Sequence, residues 1–304
     1  MEKTKILFTG SNGFLGKILK SAFSTEFEIK DLQEFSKEYI DISKNITLNI
    51  DFLPEIIIHS AGKAHSVPKS KWEQQRFFDV NYWGTVNLTS FLDKLEVRPS
   101  SFIFMSTVSV YGLESGENVN EKHALLGDSP YAKSKIMAEE YLKKWASLNN
   151  ITLSILRLPL VAGPNPPGNL GAMINGINTG RYFSIGKANS KKSVIWAEDI
   201  VKIIPRLSEV GGIFNLTDGY NPSFGELERA ISESLDRPLP TKIPMLLARV
   251  LAKIGDLLGP RSPISSDKLR KITSSLTFDD SKARKEIGWR PSNVLEKIKT
   301  DINI

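Results

Sequence analysis

Tyr131 and Lys135, in Tyr131-Ala132-Lys133-Ser134-Lys135, stand four residues apart, so on a helix they share one face. A lysine ammonium beside a tyrosine hydroxyl favours the phenolate and lowers its pKa, which turns the phenol into a general acid/base usable near neutral pH. Ser129-Pro130 just upstream fits a helix start. A further hydroxyl set lies in Ser106-Thr107-Val108-Ser109-Val110-Tyr111-Gly112, which closes an apolar run. Ligands of an open parallel sheet sit at such strand ends, and a hydroxyl there can hydrogen-bond a substrate alcohol or carbonyl that faces the tyrosine. Gly10, Gly13 and Gly16 fall between an apolar N-terminal run and an apolar helical period. A backbone that must turn tightly and approach a pyrophosphate tolerates no side chains there, and the helix N-terminus offers N–H groups to the phosphates. Asp31 is placed to accept hydrogen bonds from an adenosine ribose, a solvated surface carboxylate being the alternative. No arginine follows it closely to hold a 2′-phosphate, which favours NAD over NADP; Lys30 weakens that preference without excluding NADP.

The elements that must position these groups read as α/β. Lys5–Thr9, Phe27–Lys30, Glu55–His59, Ser101–Ser106 and Thr152–Arg157 are short, β-branched or continuously apolar runs. Helical periods fall between them, over Phe14–Phe23 and about Trp72–Leu95 and Tyr131–Asn149. Apolar strands separated by helices predict a Rossmann-type, doubly wound parallel sheet covered on both faces. After Pro159 the texture changes to a Gly-, Pro- and Asn-rich stretch. A boundary is therefore expected near 160, with a dinucleotide-binding domain over 1–160 and a smaller, mixed α/β, mainly substrate-binding domain over 161–304. The two interleave, since the strand–helix pair Val194–Leu207 is expected to return to the sheet. A final helix is expected near Asn293–Ile302.

The chain has 304 residues, 40% of them hydrophobic and 24% charged, as in ordinary globular proteins, which excludes wholesale disorder. It contains no cysteine, which removes disulfides, thiolate zinc sites and a catalytic thiol, and its three histidines, 59, 65 and 123, are scattered; no metal site is expected. His59, at a strand end, reads as packing rather than as an acid/base. The net charge of +6 is spread along the chain, so it indicates solubility and an anionic ligand rather than nucleic acid. MEKTKILFTG holds no apolar run of signal-peptide length, and a cytoplasmic location is expected. Ile243–Leu258 is too short to cross a bilayer and carries Arg249, Lys253 and Asp256. Its spacing predicts an amphipathic helix on the protein's own surface, with membrane-surface contact as the alternative.

TGSNGFLG, HSAG, NYWGTVNL, STVSVYG and YAKSK, in this order, resemble the extended short-chain dehydrogenase/reductase family, and within it the nucleotide-sugar epimerases, dehydratases and 4-keto reductases. SSLTFDDSKARKEIGWRP is similar to that family's C-terminal signature, most like the branch that finishes sugars for bacterial surface polysaccharides. The resemblance implies that Gly10, Gly13, Phe14, Leu15 and Gly16 hold the dinucleotide phosphates and Asp31 the ribose. Asp41 and Ile42 flank the adenine, Ser60, Ala61 and Gly62 line the cofactor, and Asn81 stands beside it. Thr107, Tyr131 and Lys135 form the catalytic set, with Lys135 also on the nicotinamide ribose. Asn169, Leu170, Lys192 and Arg270 are implied contacts of the substrate diphosphate, an ordinary surface role being the alternative for each contact. A homodimer through the helices containing Asn81–Leu92 and Tyr131–Trp145 is implied as well.

Absences sort the reactions of that family. Its 4,6-dehydratases carry Asp-Glu directly after the catalytic threonine, where this chain has Val108-Ser109, and its C3/C5 epimerases use a cysteine. What remains is redox chemistry at one carbinol, C4 of a UDP-type nucleotide-sugar. Pro159-Leu160 stands where the UDP-galactose 4-epimerase pattern has an asparagine, which leans toward a 4-keto reductase. A 4-epimerase with retained NAD is the runner-up. A non-catalytic dinucleotide sensor is the third reading, and the tyrosine argues against it.

Overall fold

The computed structural model describes residues 3–23, 27–64, 66–258 and 265–301. Strands β1 (Thr4–Thr9), β2 (Phe27–Asp31), β3 (Ile56–His59), β4 (Ser101–Thr107), β5 (Gly116–Val119) and β6 (Thr152–Leu158) run through the first half. Helices α1 (Phe14–Ala22), α2 (Lys71–Phe78), α3 (Gly84–Leu92) and α4 (Pro130–Asn149) lie between them. The second half holds β7 (Leu160–Ala162), β8 (Phe183–Ile185), β9 (Val194–Trp196), β10 (Gly212–Asn215), β11 (Thr241–Ile243) and β12 (Leu276–Phe278). Its helices are α5 (Gly168–Asn178), α6 (Ile204–Val210), α7 (Phe224–Ser234), α8 (Met245–Leu258), α9 (Ser266–Thr273), α10 (Ser281–Ile287) and α11 (Val294–Asp301).

Six strands form one sheet in the order β10-β6-β4-β3-β1-β2. Every pairing in it is parallel, with Thr9 opposite His59 and Ser106 opposite Arg157. Alternate side chains go to opposite faces. Ile6, Phe8, Ile58, Ile103 and Leu156 therefore pack on one side against Leu19, Leu207, Ile287 and Trp289. Leu7, Ile57, Phe102, Phe104 and Ile155 pack on the other against Leu88, Phe91, Leu142 and Trp145. With both faces covered, β3 and β4 are buried at every residue, which is why they read as unbroken apolar runs.

The return to the sheet is made differently from the expectation over Val194–Leu207. β9 pairs with β7 in a separate two-stranded sheet, and β10 is the strand that extends the main sheet beside β6. The helical part of that stretch does reach the sheet, through Ile200, Ile203, Ile204 and Leu207. β5 pairs with β12 and β8 with β11, so the second half folds around the first rather than after it. The final helix ends at Asp301; Ile302, like His65, lies outside the described residues.

Candidate active site

At the end of β1, Gly10 turns with φ +84° and its backbone lies against the loop after β3, where an added Cβ would stand 2.5 Å from the Ala61 nitrogen. A Cβ on Gly16 would stand 2.0 Å from the Gly10 carbonyl oxygen, so the turn closes onto α1 only without a side chain there. Gly13 is the N-cap of α1 and no side chain caps the helix. The first-turn N–H groups of Phe14, Leu15 and Gly16 have no intrahelical partners and form an anion-binding helix end. This cradle fits a pyrophosphate. Leu15 also packs on the core, and Phe14 approaches Gly163.

Asp31 is 5% exposed, so it is not a solvated surface carboxylate. Its Oδ2 accepts from the Ser11 amide (3.2 Å) and its Oδ1 from the Gln33 amide (2.8 Å), which fixes the carboxylate at the mouth of the glycine turn. Asp41 accepts from the Ser43 hydroxyl (2.7 Å) and amide (3.0 Å), and these bonds hold its carboxyl below the usual range. Ile42 packs on the core, and a Cβ on Gly84 would meet it at 2.8 Å.

Ser60, Ala61 and Gly62 follow β3, and Asn81 sits beneath them. Asn81 lies in a π-helical turn, Asp79–Trp83, between α2 and α3, a distortion that recurs at functional sites. Its Oδ1 accepts from the Lys63 amide (2.7 Å), and its Nδ2 donates to the Lys63 carbonyl (3.1 Å) and to Ser134 Oγ (2.9 Å). Ser134 in turn donates to the Tyr131 carbonyl (2.8 Å). The buried asparagine thereby ties the loop after β3 to the first turn of α4.

α4 begins with Ser129 accepting from the Ala132 amide and Pro130 in its first turn. That start turns Tyr131 toward β4, where Thr107 stands near enough to its hydroxyl to favour the phenolate. Thr107 itself caps the short turn Val108–Tyr111, accepting from the Ser109 amide at 3.2 Å. Burial raises the Tyr131 pKa and outweighs the opposing effect of Thr107. The expected lowering by Lys135 is absent for a geometric reason. Lys135 Nζ donates to the Met105 carbonyl (2.8 Å) and lies 4.4 Å from the centre of the Phe104 ring. It is 4% exposed, and burial brings its pKa down to about 8 despite the Glu139 carboxylate. A Cβ on Gly62 would lie 3.4 Å from this ammonium, so the lysine, Asn81 and the glycine loop line one space.

His59 is fully buried between Thr9 Oγ1 (2.7 Å) and Thr85 Oγ1 (3.0 Å), and burial pulls its pKa down to about 3; it is a neutral packing residue. A network the sequence reading missed lies below Lys135. Arg157, 1% exposed, meets Glu139 through Nη2 (2.7 Å) and Nε (3.2 Å), and Ser106 Oγ donates to the same carboxylate (2.6 Å). Arg157 Nη1 also donates to Tyr111 Oη (3.1 Å), whose hydroxyl donates to Asn215 Oδ1 (2.7 Å). The available signals were an arginine inside an apolar strand and a glutamate four residues past Lys135.

The four implied diphosphate contacts differ in exposure and in pairing. Asn169 is exposed in the first turn of α5, whereas the Leu170 side chain is buried in the core, leaving only its backbone for a ligand. Lys192 is half-buried with its pKa lowered by burial, and among the described residues no carboxylate pairs with it. Arg270 is exposed and already paired with Glu114 (2.7 Å) and Asp267 (2.9 Å), which argues against the role the resemblance implied for it. Among the described residues no cluster of metal-ligating side chains occurs, and no helix is long and apolar enough to cross a membrane.

The model of the NAD dependent epimerase/dehydratase family matches residues 6–216. The N-acetyl-alpha-D-glucosaminyl-diphospho-ditrans,octacis-undecaprenol 4-epimerase of Escherichia coli O157:H7 is 25% identical, over 91% of this chain and 88% of its own. The UDP-glucose 4-epimerase of Vibrio cholerae is 26% identical, over 96% of this chain and 92% of its own. Among solved structures, RMD from Pseudomonas aeruginosa complexed with NADPH superposes with a TM-score of 0.75 at 19% identity, covering 98% of this chain and 97% of that one. The Thermus thermophilus UDP-glucose 4-epimerase complex with NAD superposes at 0.72 and 21%, with the same coverage.

Proposed function

The chain belongs to the NAD dependent epimerase/dehydratase family, and from that premise we propose that it moves hydride at C4 of a hexose carried on a diphosphate, with 4-epimerisation as its net reaction. The observation that carries the reading is the Thr107–Tyr131 hydroxyl pair at the end of β4, beside a glycine cradle fitted to a pyrophosphate. Full-length similarity to two 4-epimerases supports the net reaction. The diphosphate is the feature their printed substrates share: one sugar rides on a nucleoside, the other on a polyprenol. The 4-keto reductase favoured by Pro159-Leu160 is the second reading, supported by the direct passage from β6 into β7 with only that proline between them.

In either reading the bound nicotinamide supplies hydride exchange. Tyr131, held protonated by its burial, gives its proton to the C4 oxygen of a keto-sugar and recovers it when the alcohol is oxidised. Thr107, at the end of β4 near the Tyr131 hydroxyl, orients that oxygen. Lys135 supplies a fixed positive charge below the site and, beside Gly62 and Asn81, reaches the ribose. Gly10, Gly13 and Gly16 with the α1 N-terminus take the dinucleotide phosphates, Asp31 takes the adenosine ribose, and Asp41 and Ile42 flank the adenine. NAD is the preferred cofactor on the strength of Asp31. Asn169, the Leu170 backbone and Lys192 remain for the substrate diphosphate. A homodimer through the helices containing Asn81–Leu92 and Tyr131–Trp145, where Trp83 and Met137 are exposed, completes the proposal.

Denaturing the purified protein and assaying the supernatant for dinucleotide separates the two readings. Near-stoichiometric NAD supports the epimerase, while an empty protein that binds reduced cofactor reversibly supports the reductase. In the Tyr131→Phe variant, turnover of UDP-hexose or 4-keto-sugar should drop about 10²–10⁴-fold with dinucleotide binding kept. Unchanged turnover would overturn both.

A further inference from the structure

α8 buries little of what it carries. Only Ala248, Ala252 and Gly255 are buried, a seam of small residues against Leu269, Ile185 and Ile243. Leu246 (75% exposed), Leu247 (50%), Val250 (54%), Ile254 (48%), Leu257 (89%) and Leu258 (71%) face outward. At about 100° per residue these aliphatic side chains fill an arc of roughly 120° on the side away from the seam. Arg249, Lys253 and Asp256 occupy a stripe along one border of that arc. Scattered surface leucines are ordinary, but a contiguous apolar strip along one helix is not.

The charge around the strip says what covers it. Among the described residues of 241–273, six Lys and Arg stand against two Asp, a net +4 in a chain whose total is +6. Arg270 spends part of that on Glu114. Two copies of the chain meeting through this face would bring these like charges together, whereas an anionic surface complements them. The helix has 14 residues, about 21 Å, too short to span a bilayer of about 30 Å yet suited to lie in its plane.

We propose that the outer face of α8 docks on the headgroup region of an anionic phospholipid bilayer, with Leu247, Val250, Ile254 and Leu257 inserted among the acyl chains and Arg249 and Lys253 on the phosphates. The docking places a diphosphate-sugar enzyme at a membrane surface and does not depend on which net reaction the site performs.

Flotation of the full chain with vesicles tests it, using phosphatidylcholine alone and phosphatidylcholine with one third phosphatidylglycerol. The wild type floats with the anionic vesicles and roughly tenfold less with the neutral ones. Leu247→Ser with Ile254→Ser, which lie outside the packed cluster beneath α8, lowers anionic-vesicle binding by about tenfold or more, with dinucleotide binding unchanged and the chain still folded by circular dichroism. Arg249→Glu with Lys253→Glu erases the preference for anionic vesicles. The proposal is overturned by a wild type that stays at the bottom of the gradient or by serine variants that float as well as it does. A wild type that instead sediments as a larger species, reduced by the serine variant, assigns the face to a second copy and also overturns it. Dinucleotide release and Tyr131→Phe kinetics are read separately, so failure here leaves the proposed reaction standing.

Discussion

Burial acts in opposite senses on the two ionisable members of the Thr107, Tyr131 and Lys135 set. It raises the phenol and brings the ammonium down to about 8, because in each case it disfavours the charged form. As pH rises through about 8, Lys135 loses its charge while Tyr131 is still protonated. The activity should therefore fall on an alkaline limb set by the lysine rather than by the tyrosine. Lys135→Arg keeps a charge at every accessible pH. Its residual activity, however reduced by the larger side chain, should lose that limb, and a pH profile of kcat/KM from 6 to 10 reads the difference. His59, neutral down to about 3, contributes nothing to the profile. The tyrosine–lysine spacing was legible in the sequence. That Lys135 turns to the Met105 carbonyl and not to the phenol was not, because rotamers are chosen by the surrounding strand ends.

At the scale of elements, Glu139 and Arg157 join α4 to β6, and Ser106 adds β4 to the same carboxylate. Removing one member of a buried pair strands the other charge. Glu139→Ala should cost about 3–5 kcal/mol of stability, and Arg157→Met much the same. The double substitution Glu139→Leu with Arg157→Met should recover part of the loss, which urea denaturation of the three variants measures. The strands and helices that carry the site were readable from apolar runs and helical periods, and the glycine turn from its place between β1 and α1. The short second-half strands were not. Apart from β9, which opens the Val194–Leu207 stretch, β7, β8, β11 and β12 have three residues each, too few to show a period, and their partners lie far away in sequence. The π-helical turn at Asn81 left no local signal either, since NYWGTVNL reads as plain helix.

At the scale of the molecule, a boundary near 160 matches the change of texture in the sequence but not the way the halves close on each other. β10 completes the sheet beside β6, Asn215 caps the Tyr111 hydroxyl, and Trp289 packs under the sheet while its indole donates to the Thr217 carbonyl at 2.8 Å. A fragment of residues 1–160 leaves β6 unpaired on one edge and one core face open. It should show helical far-ultraviolet dichroism without the near-ultraviolet signal of fixed aromatics, whereas the whole chain shows both. The closing pieces have a consequence for biogenesis. At roughly 5–20 residues per second, a ribosome needs on the order of ten seconds between finishing β6 and releasing Trp289. During that interval the nascent chain presents an open parallel edge lined with isoleucine and leucine, the kind of surface that trigger-type holdases cover. Slowing synthesis or adding a holdase should therefore raise the share of chain recovered folded, which the soluble yield at two growth temperatures measures.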